Sequence, residues 1–516
     1  MKKFIALGLC VIITINLIGC ISSFESDKKD IIDDEIIIAI CGGPYGFYPW
    51  IESYDVDTMS INSNIFNSLV EFDRNFRIKP ALAKSWNNPN NLTWRFNLRD
   101  DVKFHNGNNF TADDVKYTID LIKGDNGSVI RELVIGITDV VIIDNYTVDI
   151  ITEKPCPILL NKLMDIYIVS KNYQENTDED WPIGTGSYKL VDYEYNKHII
   201  LERFDGYWKG PCKIKRVIFK TIIEYENRKN AIINGTVDIS GFHPKDFEEM
   251  LSGEGLDIIS VSPPSVMYLS FDFRDYNSSY RYSEKNPLSD VRVRKAIYHS
   301  INISYLIEEK LHNFAGAASQ FVSPLIFGYN PDIKRLSYDL NSAKALLNDS
   351  GYMHGFELNL NCFNSTNTVE FCSEIANMLS AINITVHVKP SCLGEFGHDL
   401  CMGNFSFYFV GWQTSSADGG EIFDFCLKTS DEIKSSSSYN YGYYSNPKVD
   451  LIGLEASSEM EPKQRCKLLQ DGFKIAMDDV AWIPLYIPQS LFACNEIFDW
   501  KPGGCIGIKV EEIGFK

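Results

Sequence analysis

Positive charge is what this 516-residue chain has too little of: 49 Lys and Arg stand against 69 Asp and Glu, giving a formal net charge of -20 at pH 7. With an isoelectric point near 4.9, nucleic acid and anionic lipid headgroups are excluded as direct partners, because both require a basic surface. Catalytic signatures are missing as well. The chain has neither a Gly-x-Ser-x-Gly elbow nor a His-Glu-x-x-His helix, so two common hydrolase designs are excluded. None of its 13 cysteines falls in a Cys-x-x-Cys pair, and Cys392, His398 and Cys401 find no fourth partner at zinc spacing. No metal site and no cofactor are expected. Long apolar runs are scarce too: Phe4 to Ile18 is the one extended run, shorter than the roughly 20 residues a spanning helix needs. No pore is expected.

What is present is ample core material. Hydrophobic residues make up 45% and aromatics 13%, too much for disorder. The length is too great for one core, so two or three lobes are expected. Lys2 and Lys3 before the apolar run give residues 1–19 the form of a secretory leader. Its ending, Leu17-Ile18-Gly19-Cys20, resembles the lipobox of prokaryotic lipoproteins. That resemblance implies cleavage after Gly19 and a diacylglyceryl thioether on the Cys20 sulfur, the nucleophile that can take the lipid. Residues 20–35 then form a polar tether, and the protein is expected outside the cytoplasmic membrane, anchored to its outer face. Eleven cysteines follow Cys10 and Cys20. The number is odd; Cys392 with Cys401 and Cys494 with Cys505 are candidate local bridges, and the pairing stays open.

The most informative stretch runs from Leu82 to Lys123. Leu92, Trp94, Phe96 and Leu98 alternate with polar residues, Asn106-Gly107 signals a turn, and Thr111 with Asp114 caps a helix carrying Val115, Ile119 and Ile122. Ser85-Trp86, Trp94-Arg95-Phe96, Leu98-Arg99-Asp100, Val102-Lys103-Phe104, Asn106-Gly107 and Thr111 to Val115 together resemble the signature segment of the extracellular solute-binding proteins of peptide and nickel ABC transporters. Gly184-Thr185-Gly186 with Tyr188, Pro287 to Ile297, Tyr444 to Asp450 and Ile483 to Tyr486 continue the resemblance in family order. Gly184-x-Gly186 is no phosphate loop, since no Walker lysine follows.

The resemblance implies an α/β fold of the type II periplasmic-binding-protein kind, with two main lobes, an extra subdomain and a hinge. Lobe I is expected from 36–70, 180–260 and 480–516, the extra subdomain from 71–179, and lobe III from 261–479. It implies a monomeric receptor, not an enzyme, which delivers its ligand to ABC permease subunits. The resemblance implies that Asp418, six positions after Trp412, pairs with a peptide's α-ammonium group, with Glu421 as a second acid; the alternative for Asp418 is a turn or cap residue beside Gly419-Gly420. Trp412 and Tyr48 are expected to supply apolar contact, and Tyr54 and Met59 fall where the nickel-binding branch has pocket residues. Each of these aromatics has packing at the lobe interface as its alternative role. Ile130 stands where that branch has a pocket aromatic, and Arg131 could meet a ligand carboxylate or a surface acid. Three functions follow: a peptide receptor, a nickel or metallophore receptor, and, least favoured, an envelope hydrolase built on a carboxylate pair.

Overall fold

The computed structural model describes residues 34–51, 55–173, 182–275, 285–429, 439–503 and 507–516. Cys20, the leader, Tyr54 and Cys505 lie outside them. Two sheets organise the chain. The first is seven-stranded, in the order Leu256–Val261, Ser490–Asn495, Ile239–Phe242, Glu35–Ile40, Arg216–Thr221, His198–Arg203, Tyr188–Glu194. The apolar run Ile36 to Ile40 forms a central strand of this sheet, parallel to both neighbours, which is why it carries no polar alternation. The neighbouring strand in this sheet is short, Ile239–Phe242.

The second sheet has six strands: Ala315–Ala317, Trp482–Pro488, Ser265–Phe271, Phe407–Gln413, Phe356–Phe363, Ile384–Ser391. Pro263-Pro264 marks the first crossing between the sheets. The return crossing lies further along than the expected boundary at 480, because Trp482–Pro488 pairs antiparallel with Ser265–Phe271 and only Ser490 re-enters the first sheet. The two crossings touch: Ser260 Oγ donates to Gln489 Oε1 at 2.8 Å.

The signature stretch builds a four-stranded sheet, Ala83–Asn90, Thr93–Leu98, Thr147–Thr152, Ile137–Asp144. Trp94, Phe96 and Leu98 are buried in it, whereas Leu92 is 40% exposed because the strand begins after it. Asn145-Tyr146 turns the hairpin between Ile137–Asp144 and Thr147–Thr152. Gly107 takes φ +86° and its N–H donates to the Phe104 carbonyl, a left-handed position that favours glycine. The helix Ala112–Gly124 follows, with Val115, Thr118, Ile119 and Ile122 buried. At its start the Asp114 carboxylate accepts from Thr111 N at 2.8 Å and from Thr111 Oγ1. Its other oxygen accepts from Lys171 N, so one side chain caps the helix and fastens a distant loop.

Asp290 and Asn446 cap the helices Val291–His299 and Pro447–Ala456 as their sequences specify. Cys392 and Cys401 do not bridge: both are free, one at each end of the helix Leu393–Cys401, which at about 1.5 Å per residue holds them too far apart. Among the described residues no helix is long and apolar enough to cross a membrane.

Candidate functional site

A cavity of about 460 Å³ opens where all three parts of the chain meet. The Val56–Ile65 helix brings Met59, the following segment Glu71, Phe72 and Phe76, and the C-terminal return Lys509. The extra subdomain contributes Ile130, Glu132, Lys162 and Asp165, and the loop after the Phe407–Gln413 strand contributes Ser415, Ser416, Glu421 and Asp424, with Phe425 and Tyr439 beyond. The size suits a small organic ligand. Across the cleft Asn161 Nδ2 donates to the Ser416 carbonyl at 2.6 Å, a direct tie between subdomain and loop.

The floor is acidic. Glu421 is 7% exposed, and its carboxylate accepts from Ser416 Oγ at 2.6 Å and Ser416 N at 3.0 Å. Burial raises its pKa despite those donors. Asp165 lies beside it; burial pushes this carboxyl up to about 7, and the Glu421 charge works in the same direction. Burial also raises Asp424, against the pull of Lys162 and Arg465. Glu71 behaves oppositely. Burial works against its charge, but Lys509, Lys209 and Lys79 prevail and hold it at about 2, so it is a neutralised corner of the wall. The apolar side is formed by Met59, Phe72, Phe76, Ile130 and Phe425. One end of the cavity can therefore accept a cation while the walls take an apolar body.

Asp418 is not part of this floor, a correction to its expected role. It is 4% exposed, and Arg465 grips both its oxygens, Nη1 to Oδ2 at 2.5 Å and Nη2 to Oδ1 at 2.8 Å. Gly420 N donates to Oδ1 as well. The pair braces the loop against the helix Pro462–Asp478 and fixes both oxygens on the guanidinium, away from the cavity lining. Glu421, three positions on, points into the cavity instead. Trp412 does not line the cavity directly but packs on two residues that do, Phe425 at 6.2 Å and Tyr439 at 5.2 Å between ring centroids. Its buried Nε1 finds no hydrogen-bond acceptor among the described residues. Tyr48 takes the packing role, edge-on to Trp50 and Tyr173 against the lobe I core. Met59 and Ile130 are among the residues lining the cavity; Arg131 is not.

Reasoning from the sequence passed over Asp165, Asp424 and Glu132. For Asp165 a signal existed: it is the one acid in the apolar run Leu159 to Val169, where an unpaired carboxylate asks for an explanation. Among the described residues no group of three or more His, Cys, Asp and Glu is placed to hold a metal ion.

Comparison with known proteins gives the family and the fold. The dipeptide-binding protein of Escherichia coli is 28% identical over 514 residues, covering 92% of this chain and 91% of that protein. Heme-binding protein A of Haemophilus influenzae is 25% identical over 507 residues, covering 90% and 89%. Among solved structures, the periplasmic binding protein DppA from Helicobacter pylori in complex with peptide STSA superposes with a TM-score of 0.73 at 23% identity, covering 93% of this chain and 98% of the other. NikZ from Campylobacter jejuni in complex with Ni(L-His) gives 0.75 at 22%, covering 93% and 99%. These likenesses give the fold, that of the type II periplasmic binding proteins. Residues 77–433 match the family described as bacterial extracellular solute-binding proteins, family 5 Middle. The chain belongs to that family, the extracellular or periplasmic substrate-binding proteins of ABC importers, and is not an enzyme.

Proposed function

We propose that this protein is a lipid-anchored receptor that captures a di- or oligopeptide by closure of its lobes and delivers it to the permease of an ABC importer. The observation that carries the reading is the cleft itself, lined by the buried acids Glu421 and Asp165 together with the apolar Met59, Phe72 and Phe425. A peptide's α-ammonium group meets the acids, and its first side chains meet Met59, Phe72 and Phe425. A charge-assisted hydrogen bond there contributes about 1.5–3 kcal/mol, more as closure excludes water. The kinship with a dipeptide-binding protein supports the same reading. Cys20 carries the anchor and places the receptor on the outer face of the cytoplasmic membrane, as a monomer. Cys20→Ala protein should lose lipid labelling and partition into the aqueous phase of a detergent extract.

The test is mass spectrometry of ligand carried through native purification, followed by tryptophan fluorescence titration with free-amino and N-acetylated peptides. Free-amino peptides should bind at least tenfold more tightly and come back intact. Equal affinity for both would remove the ammonium contact, and cleavage would remove the receptor. Met59 in the cleft favours a second reading, a nickel chelate as in NikZ. Saturation by nickel–histidine, with no response to peptides, would select it.

A further inference from the structure

Two cysteines outside the cleft carry a separate inference. Cys362 lies on the inward face of the strand Phe356–Phe363, after Leu358 and Leu360, with which it shares a buried face. The chain turns at Asn364-Ser365 into the helix Thr366–Ser380, whose buried stripe is Phe371, Cys372, Ile375 and Leu379. This stripe packs on that strand face. Both thiols are completely buried and free in this structure, and they face each other across the packed strand–helix interface. They stand ten positions apart, with nine residues between them.

We propose that Cys362 and Cys372 form a structural disulfide in the exported protein. Members of this family work outside the cytoplasm, where disulfides form and persist. The two Cys S–H groups give up two protons and two electrons as the S–S bond forms. The electrons go to the disulfide of an exchange partner, a thiol–disulfide oxidant of the envelope, which is cleaved to two thiols. Because folding seals both sulfurs from solvent, the bond forms while the strand–helix unit is still assembling. It then clips the helix to the sheet behind the Phe407–Gln413 strand, which leads into the cleft loop.

The test uses the full chain secreted into an oxidising compartment, and the same chain refolded with oxidised glutathione. Each is denatured without reductant, alkylated and mapped by peptide mass spectrometry. A linked pair of peptides containing Cys362 and Cys372, lighter by two hydrogens than the separate peptides, is expected in both. Reductant should then lower Tm by about 5 °C or more, since closing a short loop constrains the unfolded chain. The double variant Cys362→Ala with Cys372→Val should lose that response to reductant. Recovery of both cysteines fully alkylated from both preparations, or linkage of either one to a different cysteine, would overturn the proposal.

Discussion

Glu421 and Asp418 stand three residues apart in one loop and do opposite work. Asp418 is locked to Arg465 at the core of lobe III, so Asp418→Ala leaves a buried guanidinium unpaired. Breaking such a pair costs about 3–5 kcal/mol, and calorimetry should show a clear fall in the melting temperature. Affinity for free-amino and N-acetylated peptides should change by the same factor. Glu421→Gln keeps the serine contacts partly satisfied and should leave Tm nearly unchanged while weakening free-amino peptides about tenfold or more. Asp165 gives the pH dependence. Its folded pKa of about 7 lies above the ordinary carboxylate value, so the folded apo protein holds a proton that the unfolded chain releases. Apo stability should therefore fall as pH rises from about 4 to about 7. A cationic ligand needs the ionised form, so its affinity should rise with pH up to about 7, by as much as tenfold per unit. Titrations from pH 5 to 8 should show that slope in the native protein and a flatter one in Asp165→Asn. The sequence shows an aspartate after Gly-Trp but not which acid faces the cleft, because the partner that captures Asp418 is Arg465, 47 positions away.

At the level of elements, local chemistry was readable where it is local. Thr111 and Asp114 specify a helix start and Asn106-Gly107 a turn, each decided within a few residues. Asp114 also shows what local reading leaves out: its second oxygen holds Lys171 N, 57 residues on. Thr111→Ala removes a hydroxyl and should cost about 1 kcal/mol, an ordinary capping loss. Asp114→Ala strands the Thr111 and Lys171 amides as well, and each buried donor left unmade costs about 1–3 kcal/mol. Urea unfolding should rank Asp114→Ala well below Thr111→Ala; equal losses would mean the loop contact contributes nothing. The strand Trp482–Pro488 failed local reading for a complementary reason. Its apolar residues fit either sheet, and only pairing with Ser265–Phe271, more than 200 positions earlier, decides between them.

At the scale of the whole molecule, two facts make closure mechanically plausible. The chain passes between its large sheets at Pro263-Pro264 and again at Gln489, and these crossings are tied by the Ser260–Gln489 hydrogen bond, so the proposed closure would turn about these two crossings. Far from that axis, the Asn161 side chain reaches the Ser416 carbonyl over the cleft, on the loop that also holds Glu421 by Ser416. On the proposed closure, the contact that joins the two sides would also steady the serine that orients Glu421. Small-angle scattering should show the ectodomain contracting on ligand addition. A stricter test places cysteines at both ends of the tie, Asn161→Cys with Ser416→Cys, and joins them with a short bis-maleimide. Linked in the presence of ligand, the protein should retain it through prolonged dialysis; linked empty, it should bind none. Ordinary exchange in both linked forms would mean that ligand enters and leaves without the lobes separating, and the hinge would then have no part in capture.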